Sequence, residues 1–199
     1  MVHEQATENR GKMKVELIMA TPNPEVFIGK MAGICYGKEG SDDATCIKRA
    51  AHCVDKGHLS TLRFAHATIH ISGISRVCSH QLVRSKHLDF LQRSQRYCNE
   101  SDAQFITPET LADNREYSNA IEYAVYAYNE LVAAGIKKED ARMVLPASTT
   151  TELVVTGNFQ AWLDFINLRN TKEAQWEIRA LAQEIKSRLE DVAPNIFGD

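Results

Sequence analysis

From Ala65 to Ser72 the chain alternates, with Ala67, Ile69 and Ile71 set against Thr68, His70 and Ser72. Successive side chains of a strand point to opposite faces, so this period of two spells a half-buried strand. The strand constrains the fold because the chain on either side of it reads as helix. Two further stretches are β-prone. KVELIMAT (14–21) alternates weakly and is expected at a sheet edge, and STTTELVVT (148–156) is expected to close at Gly157. Strands so widely spaced do not alternate with helices as strict βαβ units, so the expected class is α+β, or an irregular α/β fold.

The helices are read from the 3.6-residue period and its punctuation. Asn23 is expected to cap a helix with Pro24 in its first turn and Phe27, Met31, Ile34 and Cys35 inward. After a loop from Gly37 to Asp43, with Ser41 or Asp42 as cap, a second helix places Ala44, Ile47, Ala50, Ala51 and Val54 on one side. Gly57 ends it, and GHLSTLRF follows as an irregular connection. Gly73 is expected to break the strand, with Ile74, Val77, Cys78 and Leu82 beginning a helix that ends near Arg84. Ser85 to Tyr97 has no period and reads as a loop with extended parts. Phe105 to Asp113 carries turn chemistry, with Pro108 at a helix start. The longest amphipathic helix runs from Arg115 to Ala134, with Ile121, Ala124, Val125, Tyr128, Leu131 and Val132 on its apolar side and Gly135 as its stop. Lys137 to Val144 is a short helix ended by Pro146. Asn158 caps a helix through Trp162, Leu163 and Ile166, with Arg169 near its end. A last helix spans Glu173 to about Asp191, with Trp176, Ile178, Leu181, Ile185 and Leu189 inward.

The chemistry concentrates between Cys78 and Glu100. Arg76, Arg84, Lys86, Arg93 and Arg96 are cationic, His80 and His87 sit among them, and Asp89 is the only acid before Glu100. Guanidinium offers a planar fork of donors that matches phosphate oxygens, so phosphate is the first ligand to consider. A formal net charge of -3 over 199 residues makes this a focused site rather than a general nucleic-acid coat. The ordinary apolar (44%) and charged (25%) fractions fit a globular chain with a sizeable core. No apolar run is long enough to span a bilayer. The polar start of the chain, read as a leader over residues 1–13, has no signal-peptide core. The five cysteines (Cys35, Cys46, Cys53, Cys78, Cys98) form no C-x-x-C pair. Buried, reduced thiols of a cytoplasmic protein are expected, not disulfides or a metal site.

Neither the dinucleotide fingerprint nor the P-loop motif occurs, so side chains must do any phosphate work. A basic loop alone is most often a solvated surface. Two further stretches weigh against that reading. In ARMVLP, Arg142 sits among apolar residues, where a charged guanidinium must be paired or used. In TGNFQAWLDFINLRNTKEAQWEIRALA, Asn158, Gln160, Asp164, Asn167, Arg169 and Gln175 gather at one helix junction, beyond what an amphipathic pair needs.

HQLVR followed by a basic tripeptide and QRSQRY, then ARMVLP, then TGN through INLR to AQWEI, with GHLST upstream, resembles the signature of the flavin-dependent thymidylate synthases. The blocks fall in that family's order and spacing from about residue 57 to residue 182. The resemblance implies a single catalytic domain over 14–199, with a central, mostly antiparallel sheet packed by helices. It implies a homotetramer whose active sites lie between subunits and hold FAD, a nucleotide and a folate. The implied reaction is reductive methylation of dUMP to dTMP, with methylenetetrahydrofolate giving the carbon and NADPH reducing the flavin. No cysteine of the enzyme adds to the uracil. By the same resemblance, Gln81, Leu82, Val83, Arg84, Gln92, Arg93, Ser94, Gln95, Arg96, Arg142 and Arg169 fall at nucleotide-binding positions. His58, Ser60, Arg84, Ser85, Lys86, His87, Gln92, Asn158 and Asp164 fall at flavin-contacting positions. Arg169 matches the catalytic arginine that stabilises uracil ionised at N3, as a fixed cation would. Ser94 has no evident base beside it and is expected to hydrogen-bond rather than attack.

Three departures accompany the match. Arg84-Ser85-Lys86 stands for the family's usual Arg-His-Arg, Asp89 for a serine, and Arg63-Phe64 for Glu-His. Lys86 keeps charge without the planar fork, and Ser85 lacks a ring to lie against flavin. Related C5 alkylation of another pyrimidine nucleotide, UMP or dCMP, with methyl or hydroxymethyl as the added group, is the alternative chemistry. A non-catalytic nucleotide- or RNA-binding protein is the alternative of another class. RNA readers interleave more aromatics than Phe90 and Tyr97, so no nucleic-acid partner is expected.

Overall fold

The computed structural model describes residues 12–198. Four strands form one antiparallel sheet in the order β1-β2-β4-β3, so the fold is α+β. They are β1 (Lys14–Ala20), β2 (His66–Ser75), β3 (Leu88–Gln92) and β4 (Thr150–Asn158). The helices are α1 (Pro24–Ile34), α2 (Asp43–Asp55), α3 (Arg76–Leu82), α4 (Arg115–Ala133), α5 (Lys138–Ala141), α6 (Phe159–Arg169), α7 (Trp176–Glu190) and α8 (Pro194–Phe197). Short 3-10 turns cover Leu59–Phe64, Glu109–Leu111 and Arg142–Val144. β1 lies at an edge, as its weak alternation predicts. β3 was expected only as extended pieces of a loop, and it forms the opposite edge. The leader read over 1–13 falls outside the described residues except for residues 12 and 13.

The chain forms two compact units. One comprises residues 15–71, 81–90 and 154–198. Its core is Ile28, Leu62, Ile69, Ile71, Val155, Phe159, Trp162, Ile178, Leu181, Ile185 and Phe197, all buried. The Trp162 indole N–H donates to Ala67 O (3.2 Å), so the largest buried ring leaves no polar atom orphaned. Phe159 and Phe197 meet edge to face at 5.1 Å between centroids. Each of these side chains contributes about 1.5–3 kcal/mol by leaving water.

The inward faces of two helices differ from expectation. α1 buries Ile28, Gly29, Ala32 and Gly33, while Ile34 and Cys35 are exposed and Phe27 and Met31 only half-buried. The reason is backbone approach. A Cβ at Gly29 would run into the Cys46 carbonyl, so the glycine face, not the bulkier stripe, meets α2. α2 accordingly buries Cys46, Ala50 and Cys53, leaving Ala44 exposed. Asp42 caps α2 by accepting from Thr45 N (2.9 Å). Asn23 does not cap α1 with its side chain; its backbone is left-handed (φ 44°) instead.

The second unit comprises residues 72–80 and 91–153, with 12–14 as its described N-terminal part. Gly73 does not break β2. It sits inside the strand at φ 69°, where a Cβ would collide with the Lys12 carbonyl, so glycine lets the strand continue to Ser75. The helix expected from Ile74 therefore begins at Arg76. α4 turns the expected side inward, but only Ala124 and Tyr128 are fully buried; Ile121, Val125, Leu131 and Val132 are half-buried. The Tyr128 hydroxyl accepts from Glu100 N (3.1 Å) and donates to Asn99 Oδ1 (3.3 Å), tying α4 to the turn after the basic stretch.

Gly157 likewise does not close β4, which runs on to Asn158, the cap of α6. α7 starts at Trp176, later than expected, and Trp176 is 44% exposed rather than inward. Cys46, Cys53 and Cys78 are buried and Cys98 half-buried, but Cys35 is exposed. Among the described residues no helix is long and apolar enough to cross a membrane.

Candidate functional site

Within residues 72–80 and 91–153 the end of β3 leads into a tight turn over Ser94–Cys98. Gln92 is fixed before that turn begins. Its side-chain amide donates to Ser79 Oγ (3.0 Å) and to Thr151 Oγ1 (3.1 Å). Both amide hydrogens are thereby committed, leaving its oxygen as the group for a ligand. Ser94 starts the turn: its carbonyl accepts from Tyr97 N and Cys98 N, and its Oγ accepts from Arg96 N (3.2 Å). No His, Asp or Glu hydrogen-bonds Ser94 Oγ among the described residues, so nothing there activates it as a nucleophile.

The arginines of this unit divide by use. Arg93 faces two carboxylates, Glu100 at 3.6 Å and Glu152 at 4.0 Å. Arg96 donates its Nε to Glu139 at 2.6 Å. Arg142, expected to need a partner, donates its Nε to Glu139 O at 3.0 Å. Arg76 donates Nη2 to Arg93 O (3.1 Å), while its buried Nε has no hydrogen-bond partner. Burial lowers the Arg76 pKa below its ordinary value; the Glu100 charge opposes this, and the Arg142 and Arg93 charges add to it. Glu100, Glu152 and Glu139 already offset part of this positive charge, and an acceptor-rich ligand would offset more. Gln95 is buried with its Nε2 unpartnered, and so is Ser148 Oγ, just beyond ARMVLP.

Within residues 15–71, 81–90 and 154–198 the remaining expected positions appear. Gln81 Nε2 lies 3.5 Å from Gln175 Oε1. Leu82 is buried and Val83 exposed as α3 ends. In the following turn Arg84, Lys86, His87 and Asp89 are exposed, and His87 is left-handed (φ 62°). Ser85 Oγ is buried without a hydrogen-bond partner. His58 precedes the Leu59–Phe64 turn, its carbonyl accepting from Thr61 Oγ1 (3.0 Å), and Ser60 is exposed. Arg63, one of the departures, donates its Nε to Gln160 Oε1 (2.7 Å), linking that turn to α6; its neighbour Phe64 is 58% exposed. Asn158 caps α6 by accepting from Ala161 N (2.9 Å), and Asp164 is exposed on the same helix. Arg169 is the last residue of α6, half-buried, with its Nε buried and unpartnered. A helix C-terminus favours a cation there.

Buried polar atoms without partners are rare and call for an explanation. Those found among the described residues are on Arg76, Ser85, Gln95, Ser148 and Arg169. All of them lie in, or within three residues of, the sequence blocks singled out above. The sequence reading missed two participants. Arg76 reads only as part of the basic excess, and the one sequence signal for Glu139 is its place three residues before Arg142.

The family model described as "Thymidylate synthase complementing protein" matches residues 16–195. The flavin-dependent thymidylate synthase of Mycobacterium avium (strain 104) is 38% identical over 192 residues, covering 87% of this chain and 77% of the relative. That of Geobacter sulfurreducens is 38% identical over 200 residues, covering 94% and 86%. That of Mycobacterium leprae (strain TN) is 36% identical over 196 residues, covering 87% and 77%. With a family model spanning nearly its whole length and several relatives of this kind, the chain belongs to the flavin-dependent thymidylate synthases, a family of enzymes.

Proposed function

We propose that the protein makes dTMP by FAD-dependent reductive methylation of dUMP, with methylenetetrahydrofolate as carbon donor and NADPH as reductant. Residues 14–199 act as one catalytic domain of a cytoplasmic homotetramer whose active sites lie between subunits. The observation that carries the reading is the placement of the unpartnered buried donors, on Arg76, Gln95 and Arg169, in a chain of this family.

The residues fit a flavin. Ser85 Oγ is a buried hydroxyl in want of a partner, and exposed Arg84 and Lys86 on either side supply charge for a diphosphate. His58, Ser60, His87, Gln92, Asn158 and Asp164 complete the proposed cofactor set. When bound, the flavin supplies the hydride that turns the transferred one-carbon unit into methyl.

The chain's own side chains bind and polarise the nucleotide. Arg96 and Arg142, with Arg76 beside Arg142, neutralise the 5′-phosphate through their terminal nitrogens. Gln81, Leu82, Val83 and Arg84, and separately residues 92–96, belong to the proposed nucleotide-binding set, with the Gln92 oxygen as an acceptor. Arg169 is the catalytic group. Its fixed charge favours the uracil ring deprotonated at N3, which raises electron density at C5. No cysteine is needed as nucleophile.

The test is mass spectrometry of the product after incubation with NADPH, FAD and methylenetetrahydrofolate, offering dUMP, UMP and dCMP in turn. Methylated dUMP is expected. If dUMP stays unchanged while UMP or dCMP gains the one-carbon unit, the reading moves to the related alkylation. A purified protein that is colourless and takes up no added FAD overturns it.

A further inference from the structure

α5 is only one turn long, yet it touches two arginines of the cluster and the residue that follows one of them. Glu139 Oε2 accepts from Arg96 Nε at 2.6 Å, and the Glu139 carbonyl accepts from Arg142 Nε at 3.0 Å. Lys138 Nζ donates to Tyr97 O at 3.2 Å, and the Arg96 guanidinium lies 5.5 Å from the centroid of the Tyr97 ring. One residue thus holds the Nε edge of two guanidinium groups. Among the described residues the terminal nitrogens of Arg96 and Arg142 make no hydrogen bond, so the two forks keep their outer edges for a ligand.

An exposed ion pair usually adds little stability, because two long side chains must be ordered to make it. Arg96 is 58% exposed and Glu139 32%. Here the Tyr97 ring already restricts Arg96, so the carboxylate sets the plane and direction of the guanidinium more than it stabilises the fold. A planar fork binds phosphate well only when its plane is right.

We propose that Glu139 is a positioning residue of the phosphate subsite: its side chain orients Arg96, and its carbonyl orients Arg142, toward the 5′-phosphate of the nucleotide. The proposal rests on the reading of that arginine cluster as the phosphate subsite.

The experiment measures the binding of dUMP and of deoxyuridine to the full chain by calorimetry, and takes the ratio of the two affinities as the phosphate preference. Arg142→Ala tests the underlying reading. If that variant keeps the wild-type ratio, the subsite itself is wrongly placed and the role of Glu139 fails with it. If the ratio collapses in Arg142→Ala, the Glu139 variants decide the narrower question. Glu139→Asp keeps the charge but shortens the reach, and the ratio is expected to fall about tenfold, as for loss of one charge-assisted hydrogen bond. Glu139→Gln keeps an acceptor at the same reach and is expected to stay within about threefold of wild type on the same scale. In turnover, the Glu139→Asp loss is expected in KM for dUMP, with kcat near wild type. If Glu139 only competes with phosphate as an anion, Glu139→Gln binds dUMP more tightly than wild type, which overturns the proposal. A Glu139→Asp variant that shifts the melting temperature but leaves the ratio intact also overturns it, in favour of a purely structural role.

Discussion

Gln175 and Gln81 share one oxygen. Gln175 Oε1 accepts from the backbone N–H groups of Glu177 (3.1 Å) and Ile178 (3.2 Å), capping α7, and lies 3.5 Å from Gln81 Nε2. Gln175→Ala should therefore do two things. Loss of the cap costs about 1 kcal/mol, a fall of roughly 2–4 °C in melting temperature for a chain of this size. Nucleotide affinity should fall as well, because Gln81 loses one of the contacts that orient its amide. Thermal melts and dUMP titrations on the one variant check both effects. A melting shift with unaltered dUMP affinity would separate Gln81 from the site.

Arg76 makes a second case. Its Nε is buried and unpartnered, and burial already disfavours its charge, so the folded chain bears a cost for keeping a cation there. Arg76→Met keeps the volume and removes that cost. The expected result is a protein at least as stable as wild type that binds dUMP roughly 10- to 100-fold more weakly, as for loss of a charged hydrogen bond. Deoxyuridine binding should hardly change. A variant that melts lower and binds dUMP normally would make Arg76 a structural arginine.

Helix capping by Asp42 gives a pH-dependent prediction. Its carboxyl is held below the ordinary value of 3.8, first by the Thr45 hydroxyl and then by the Thr45 backbone N–H. A carboxylate with a depressed folded pKa contributes stability above its unfolded value and loses it as the pH falls through the folded one. Asp42→Ala should accordingly melt below wild type at neutral pH. The gap should stay constant down to about pH 4 and close below 3.8. A gap that persists unchanged in stronger acid means that the side chain acts through packing rather than charge.

Gly29 carries the helix contact that the sequence pattern disguised. Gly29→Ala would push a methyl group against the Cys46 carbonyl of α2, where backbone rather than a flexible side chain must yield. Overpacking of this kind costs about 1–3 kcal/mol. Denaturant unfolding should show a lower midpoint with the slope preserved. An unchanged midpoint would mean that α1 and α2 can separate freely.

The contrast between these residues shows what the sequence exposes. Capping by Asp42 and Asn158, the alternation of β2 and the termini of α4 follow from local chemistry and were legible. The face of α1 was not, because the apolar stripe Phe27, Met31 and Ile34 obeys the helical period as well as Ile28 and Ala32 do. Only the approach of the α2 backbone to Gly29 decides between them. Gly73 misled for the same reason: a left-handed residue inside a strand reads locally as a stop. The candidate site is legible in the sequence only as a basic stretch and as a resemblance. Glu139 is not, because its tie to Arg96 spans 43 positions and no local period records it.

Arg169 bears the chemistry of the proposed reaction, and its geometry predicts the form of its loss. It closes α6 with Nε buried and unpartnered, where the helix terminus favours a cation. A fixed charge aimed at a ring that becomes anionic stabilises the transition state more than the ground state. Arg169→Ala should still take up flavin, because no flavin-contacting role is assigned to it, but kcat should fall by about 10²- to 10³-fold. The pH profile adds a sign. A nearby cation lowers the pKa at which N3 ionises, so its removal moves the rise in rate to higher pH. Wild type should be near its plateau at neutral pH, with the variant still gaining rate as the solution becomes alkaline. Arg169→Lys, which keeps charge without the planar fork, should lie between the two. A variant whose kcat drops with its pH profile unmoved places Arg169 in binding geometry alone, and leaves uracil ionisation to another group.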